Sequence, residues 1–221
     1  MNYNINNVDI ATVGDKVAEA LLKIQAVFLK PQDPFTWASG IKSPIYCDNR
    51  LTLSDPAVRH IVEESLATYV KEYFAEAEVV MGTSTAGIPH AAIVSEILDL
   101  PMGYVRGSAK AHGRNNQIEG ANPTGKKVVV IEDLISTGGS SIEVVETLRA
   151  SGANVLGIVS IFTYTLKKGV QRLQDAGVIN HSLSDINALT TVAVNSGYIT
   201  AEEKAMVLKF ISNPQDESWR G

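Results

Sequence analysis

A run of four consecutive β-branched residues, 128–131, constrains the fold more than any other feature of the sequence. It lies in an apolar stretch over residues 127–133, and a second apolar run covers residues 155–162. The residues between them, 139–150, have helical spacing. Strands that are apolar on both faces and alternate with helices indicate a parallel sheet with helices on both faces. The sequence therefore predicts an α/β fold built around these strands.

The same alternation continues on both sides of this core. Further strands are predicted at residues 78–82 and 102–106. Helices are predicted at residues 15–29, 56–74, 87–98, 166–176 and 201–211, the last of them opened by a capping box at Thr200. The length of 221 residues, with no repeat or linker, predicts a single domain. In that domain we expect residues 1–55 to form a small N-terminal hood, about 75–180 the core sheet and 213–221 a loose tail.

Composition narrows the class of protein. The net charge of -5 disfavours a general nucleic-acid binder, because phosphate backbones are held chiefly by basic surface. The single cysteine, Cys47, excludes an internal disulfide and suits a reducing compartment. The N-terminus does not have the pattern of a signal peptide, and the apolar runs are too short to span a bilayer. We expect a cytoplasmic protein with neither a membrane nor a nucleic-acid partner.

Two acids and a turn of small residues follow the first buried strand. Glu132 and Asp133 stand side by side, and residues 136–141 read Ser-Thr-Gly-Gly-Ser-Ser before a helix. Glycines allow close approach of the backbone, and the first helical amides bind anions. Two carboxylates suit the vicinal hydroxyls of a ribose, so this pattern favours a phosphorylated sugar. The alternative is an acid pair and a helix cap that need no ligand. No GxxxxGK[ST] or GxGxxG motif is present.

Four segments carry a resemblance to a known family. The string at residues 128–141 resembles the phosphoribosyl-pyrophosphate signature of the type I phosphoribosyltransferases. Residues 106–113, with the spacing Arg-x-x-x-Lys-x-His-Gly, resemble the catalytic loop of the orotate enzymes, although charged loops are more commonly solvated surface. Residues 82–89 look like the pyrophosphate loop, and residues 35–50 like the base-binding segment.

The resemblance implies the type I phosphoribosyltransferase fold and an activity. The activity is transfer of a 5-phosphoribosyl group from phosphoribosyl pyrophosphate to orotate, which gives orotidine 5'-monophosphate and pyrophosphate. It implies Mg²⁺ held mainly by the substrate, and a homodimer that shares the catalytic loop across subunits. The implied catalytic residues are Lys110, His112 and Asp133. The implied phosphoribosyl-pyrophosphate site comprises Arg106, Lys110, His112, Glu132, Asp133, Ser136, Thr137, Gly138, Gly139, Ser140 and Thr85. The implied orotate site comprises Lys42, Tyr46, Cys47, Arg50 and Ser136.

The chain departs from the family pattern at several cations. Many orotate enzymes have lysine where this chain has Ala38 and Ala86, and some have a basic residue at the position of Gly107. No arginine follows Ile161, where some members place one against the base carboxylate. We interpret Arg50 as its substitute; the alternative is that Arg50 and Lys42 are surface charges.

Three other functions remain open at this point. A phosphoribosyltransferase for a purine or for uracil would share the sugar site and differ only in the base-binding segment. A regulator that senses phosphoribosyl pyrophosphate would need an additional basic face or a DNA-binding module. A phosphosugar binder without catalysis would not need the cations of residues 106–112. His60 and His90 lie in helical patterns and are interpreted as structural.

Overall fold

Six strands form the central sheet in the computed structural model, which describes residues 3, 5, 8–36, 40–107 and 117–220. The strands are β5 (Val79–Thr83), β6 (Met102–Val105), β7 (Ile118–Gly120), β8 (Lys127–Ile135), β9 (Asn154–Thr163) and β10 (Asn180–Asp185). Their order across the sheet is β10-β9-β8-β5-β6-β7. All neighbours are parallel except β6 and β7. The predicted parallel sheet is therefore confirmed, and β8 lies in its middle.

Helices cover both faces of this sheet, as expected. They are α1 (Ile10–Lys23), α2 (Pro56–Tyr73), α3 (Gly87–Leu98), α4 (Gly139–Ala150), α5 (Lys167–Asp175), α6 (Ile186–Asn195) and α7 (Ala201–Ser212). Along β8, Val129 and Ile131 belong to one core cluster, whereas Val128 and Val130 belong to a second one on the opposite face. Successive side chains of a strand point to opposite faces, so an unbroken apolar run is what a doubly covered strand requires.

The N-terminal part of the chain adds two short antiparallel ribbons. β1 (Val27–Leu29) pairs with β4 (Ile45–Cys47), and β2 (Phe35–Thr36) pairs with β3 (Lys42–Ser43). A 3₁₀ helix, Asn49–Ser54, then leads into α2. From here on, the name hood refers to residues 27–54, because α1, also within the first 55 residues, packs in the core cluster that contains Val129 and Ile131.

The first helix differs from its prediction. We expected it over residues 15–29, but α1 ends at Lys23 and residues 27–29 form β1. Asp9 caps the helix by accepting a hydrogen bond from the Ala11 amide, so the helix begins earlier. The backbone then turns at Gln25, which has a φ of 57°. Phe28 continues the apolar spacing past this turn, but in β1 it is half-buried against Phe35, whereas Val27 and Leu29 enter the core.

The expectation of a loose tail was wrong. The chain after α7 forms a 3₁₀ helix, Glu217–Arg220, and Trp219 in it is 2% exposed. The Trp219 ring lies 5.6 Å from that of Phe210, and Lys209 donates a 2.6 Å hydrogen bond to the Ser218 carbonyl. Burial of one large aromatic side chain thus holds the segment against α7. The sheet also runs past the expected limit of residue 180, to Asp185 in β10.

No helix in the described ranges is long and apolar enough to cross a membrane.

Candidate active site

Glu132 and Asp133 lie at the C-terminal end of β8 but in different surroundings. Glu132 is 6% exposed, whereas Asp133 is half-buried. The Glu132 Oε1 accepts hydrogen bonds from the Thr83 hydroxyl at 2.7 Å and from the Asp133 amide at 3.0 Å. Its Oε2 accepts one from the Ser141 hydroxyl at 2.8 Å. The Glu132 carboxylate is thus bound by protein donors, and Asp133 is the acid at the accessible position.

The environment of Glu132 also changes its proton affinity. Burial raises the pKa of Glu132 to about 7, and the neighbouring Asp133 adds to the increase. The hydrogen bonds from Thr83 and Ser141 lower the pKa, because they favour the ionised form, but they do not offset burial. Glu132 therefore binds a proton more readily than an exposed glutamate does.

The turn after β8 provides a cradle for an anion. Gly138 has a φ of 72°, the left-handed conformation that favours glycine, and α4 begins at the next residue. No side chain caps the start of α4 from that position. Thr137 and Ser140 are exposed, and Ser136 and Gly139 are half-buried. Uncapped helix amides next to hydroxyl side chains are an arrangement typical of phosphate sites.

Helix α5 packs against the backbone of this turn. Gly169 packs so closely that a Cβ atom there would clash with the Ser136 carbonyl oxygen. Arg172 donates a hydrogen bond to the Thr137 carbonyl, at 3.4 Å. Sequence reasoning did not identify either residue. A glycine inside the predicted helix at residues 166–176 was the one available signal, because glycine in a helix interior lowers stability and often marks a close approach.

A second loop, residues 84–86, joins β5 to α3 at the same edge of the sheet. Thr85 is exposed in this loop, and the Ser84 hydroxyl donates to the Val105 carbonyl at 2.6 Å. Gly87, the first residue of α3, packs closely against β8: a Cβ atom there would lie 2.5 Å from the Ile131 carbonyl oxygen. Here too no side chain caps the helix from the preceding residue, Ala86. The loop thus presents helix amides beside the end of β8.

The hood places the predicted orotate residues along β3, β4 and the 3₁₀ helix. The Lys42 ammonium donates to the Thr36 hydroxyl at 2.5 Å across the β2–β3 ribbon. Tyr46 is 41% exposed, with its ring 5.6 Å from that of Phe35. Arg50 forms a bidentate ion pair with Asp48, at 2.6 and 2.7 Å, through Nε and Nη2. This pair holds the pKa of Asp48 below its usual value.

Cys47 and Tyr164 lie where the hood meets the sheet. Burial raises the pKa of the Cys47 thiol, and the negative charges of Asp133 and Asp48 raise it further, so the thiol is protonated at neutral pH. Burial likewise raises the pKa of Tyr164. The phenol group of Tyr164 also forms a hydrogen bond with the Cys47 backbone. Tyr164 follows β9, in the region where we looked for an arginine. Sequence reasoning noted its position and missed its contact with the hood.

Arg106 is the cation of the expected catalytic loop that lies within the described residues. It follows β6, and its Nη1 lies 3.7 Å from Glu119 Oε1. Lys110 and His112 lie outside the described residues, as do Arg114 and Ala38. The expected roles of Lys110 and His112 therefore stay predictions.

The structure brings the sheet residues and the hood together at Asp133. The Asn49 side chain donates a 2.7 Å hydrogen bond to the Asp133 carbonyl across 84 sequence positions. Asp133, the turn that follows it and the hood thus meet at one edge of the sheet. Within the described ranges, no group of three or more His, Cys, Asp or Glu side chains is arranged to hold a metal ion.

Comparison with known proteins identifies relatives along most of the chain. A family model, the phosphoribosyl transferase domain, matches residues 51–198. An orotate phosphoribosyltransferase of Listeria monocytogenes serotype 4b is 57% identical over 208 residues, 94% of this chain and 99% of the relative. One from Bacillus mycoides is 57% identical over 204 residues, 92% of this chain and 97% of the relative. The crystal structure of orotate phosphoribosyltransferase from Aeropyrum pernix matches with a TM-score of 0.71 at 31% identity, over 83% of this chain and 99% of that one.

Proposed function

The chain belongs to the orotate phosphoribosyltransferase family, and from that premise we propose how its residues perform the reaction. The enzyme transfers the 5-phosphoribosyl group of phosphoribosyl pyrophosphate to orotate and releases pyrophosphate, a pentosyl transfer in pyrimidine biosynthesis. One observation supports the assignment of this activity to the edge at β8. Asp133, which precedes the uncapped turn by only a few residues in the chain, accepts a hydrogen bond at its backbone carbonyl from Asn49 in the base-binding segment of the hood.

Binding of phosphoribosyl pyrophosphate divides between two helix N-termini. The amides of Gly138 and Gly139 and the hydroxyls of Ser136, Thr137 and Ser140 bind the 5'-phosphate. The start of α3 and Thr85 bind the pyrophosphate. Both assignments rest on two features. No cap side chain accepts a hydrogen bond from the first amides of either helix, and the dipole of a helix N-terminus favours negative charge.

Three cations complete the pyrophosphate site in this proposal. Arg106 lies at the end of β6, and the family resemblance assigns Lys110 and His112 to the loop that follows it. Positive charge close to the departing pyrophosphate stabilises the transition state in which that group gains negative charge. Closure of the loop would also exclude water, which otherwise hydrolyses the activated sugar.

Displacement at the anomeric carbon requires stabilisation of positive charge on the ribose. The bond from this carbon to the pyrophosphate oxygen breaks, and a bond to a ring nitrogen of orotate forms. That nitrogen loses its proton, which the released pyrophosphate or solvent accepts. Asp133 accepts hydrogen bonds from the ribose hydroxyls, and its charge favours the cationic ring. Glu132 has its carboxylate committed to Thr83, Ser141 and the Asp133 amide, so its contribution is to hold Asp133 in place.

Orotate binds between the hood and the turn after β8. Backbone groups of Tyr46 and Cys47 recognise the edge of the base, and Ser136 and Lys42 line the other side. Arg50 uses only Nε and Nη2 on Asp48, which leaves Nη1 for the carboxylate of orotate.

Mg²⁺ fits this site as an ion held chiefly by substrate oxygens. Asp133 is a single half-buried carboxylate at the sheet edge, and Mg²⁺ is commonly held by one or two carboxylates together with substrate phosphates. Asp133 is therefore the residue that would hold it, beside the diphosphate and ribose oxygens. When bound, the ion would neutralise charge on the pyrophosphate.

The proposal includes a homodimer and a cytoplasmic location. The dimer rests on the family resemblance, in which the loop around Lys110 reaches into the neighbouring site. The location is supported by the single cysteine, Cys47, which forms no disulfide and has a protonated, half-buried thiol.

The test is an assay of the purified protein with phosphoribosyl pyrophosphate, Mg²⁺ and one base at a time. Orotate, uracil, adenine, guanine and hypoxanthine are compared by base absorbance and by pyrophosphate release. We expect turnover with orotate alone. Turnover with another base would overturn the assignment of the hood segment. Tight binding of phosphoribosyl pyrophosphate without turnover would instead support a sensor.

A further inference from the structure

Asn49 bridges the two halves of the site through a single side chain. It is the first residue of the 3₁₀ helix and is 1% exposed. Its Nδ2 donates a 2.7 Å hydrogen bond to the Asp133 carbonyl, and its Oδ1 accepts one of 3.2 Å from the Cys47 thiol. One buried amide therefore contacts both the base-binding strand and the backbone of the ribose acid.

The backbone of Asp133 needs such a partner because it lies past the end of the pairing between β8 and β5. The last residue of β8 in register with β5 is Ile131. Past that point, the Asp133 amide donates to the Glu132 side chain at 3.0 Å, and its carbonyl accepts from Asn49. Side chains thus hold both polar backbone groups of Asp133. The direction of its carboxylate consequently depends on Asn49 as well as on Glu132.

Asn49 is itself firmly placed in the hood. Its carbonyl accepts a 2.6 Å hydrogen bond from the Thr52 hydroxyl, and Thr52 is fully buried. The preceding amide, of Asp48, donates to the Ala26 carbonyl at 2.7 Å. A displacement of the hood is therefore transmitted through Asn49 to Asp133, and the reverse also holds.

We propose that Asn49 is a positioning residue that sets the distance between the orotate subsite and the Asp133 carboxylate. This inference rests on the proposed function of those two subsites. In a displacement reaction, the attacking nitrogen and the anomeric carbon must be aligned, and a misplacement of about 1 Å can lower the rate by about 100-fold. Asn49 touches neither substrate; it acts through Asp133 and Cys47.

Two variants and a matched control test this role. Asn49→Ala removes the bridge, and Asn49→Asp keeps its shape but replaces the donor by a carboxylate. Ser65→Ala is the control, because Ser65 is buried in α2, outside the proposed site, and donates within that helix, to the Ile61 carbonyl at 2.6 Å. We expect kcat at saturating substrates to fall by about 100-fold in both Asn49 variants and to remain at the wild-type value in Ser65→Ala.

The split between kcat and KM separates positioning from simple stability. A residue that aligns the reacting groups affects the transition state, so its loss lowers kcat and kcat/KM together and leaves the KM for phosphoribosyl pyrophosphate near the wild-type value. A residue that only stabilised the hood would change the melting temperature and leave the kcat of the folded enzyme unchanged.

The outcomes distinguish this inference from the proposed function. If wild type shows no orotate-dependent turnover, the proposed function fails. If wild type is active and both Asn49 variants keep its kcat, Asn49 has no positioning role. If Asn49→Ala does not fold, Asn49→Asp carries the test alone: a lowered kcat with a KM for phosphoribosyl pyrophosphate near that of wild type supports positioning, and a kcat equal to that of Ser65→Ala overturns it.

Discussion

Thr83 donates a 2.7 Å hydrogen bond to the carboxylate of Glu132 and so joins the C-terminal ends of β5 and β8. Ser141, in the first turn of α4, donates to the other oxygen of the same carboxylate. The loop before α3 and the turn before α4 are therefore tied to one buried acid. Because these two segments are the proposed pyrophosphate and 5'-phosphate sites, Glu132 holds their spacing.

Glu132 should make the stability of the protein depend on pH. Its pKa is about 7 in the folded protein against 4.5 for an exposed glutamate, so folding favours the protonated form. This energetic cost is absent below pH 4.5, grows as the unfolded state ionises, and is complete above about pH 7. We expect Glu132→Gln to lose this dependence.

Urea unfolding at about pH 5 and about pH 8 measures the effect. The decrease in the free energy of unfolding between these pH values should be smaller in Glu132→Gln than in wild type, by on the order of 1 to 3 kcal/mol. Other groups contribute equally to both proteins, so an identical decrease would contradict the assigned environment.

Gly138 should be required for phosphate binding beyond its effect on stability. An alanine there would occupy a φ of 72°, which costs about 1 to 2 kcal/mol for a residue with a Cβ. Gly125, at a φ of 73° and in open space, is the matched control. We expect both alanine variants to lose similar stability. Only Gly138→Ala should raise the KM for phosphoribosyl pyrophosphate, and an equal KM in the two variants would argue against the cradle.

Much of the sheet could be predicted because a short apolar run of residues is enough to indicate a buried strand. The run at residues 128–131 permits only a doubly buried strand, and the helix predicted at residues 87–98 has the bounds of α3. The first helix was misplaced because Ile24 and Phe28 continue the helical spacing into β1. A spacing pattern does not record the turn at Gln25.

The acid pair and the hood contacts show what a linear pattern leaves undetermined. Glu132 and Asp133 are adjacent acids that the sequence pattern does not distinguish. Only Glu132 accepts hydrogen bonds from the hydroxyls of Thr83 and Ser141, which lie 49 and nine positions away. The bridge from Asn49 to Asp133 spans 84 positions. Such contacts depend on tertiary packing and cannot be deduced from residue types. The residue types predicted a site for a phosphorylated sugar, and the structure gave the two acids different surroundings.

Trp219 should anchor the C-terminal segment. Its burial against Phe210 means that Trp219→Ala removes a large apolar contact, with an expected loss of about 3 kcal/mol in the free energy of unfolding. Glu217→Ala, at an exposed position in the same 3₁₀ helix, should have little effect. Chemical denaturation of both variants checks this. Equal stabilities would indicate that the segment is not packed as described.

Lys110 should be required for turnover but not for folding, as the family resemblance implies. Removal of one charge that stabilises the departing pyrophosphate should lower kcat by about 100-fold in Lys110→Ala. Lys16→Ala, on the exposed side of α1, is the matched control. Steady-state kinetics and circular dichroism are compared for both variants. Normal turnover by Lys110→Ala would refute the loop assignment.

The kinetics of Asp133→Asn test the proposed site most directly. Asparagine keeps the size of the side chain and removes the charge that we assign to stabilisation of the ribose cation. Asp175→Asn, at the exposed end of α5, is the control. We expect kcat for orotidine 5'-monophosphate formation to fall by about 100-fold or more in Asp133→Asn, with the melting temperature near that of wild type and the control fully active. A kcat equal to that of wild type would contradict the assignment of Asp133 and, with it, the location of the active site.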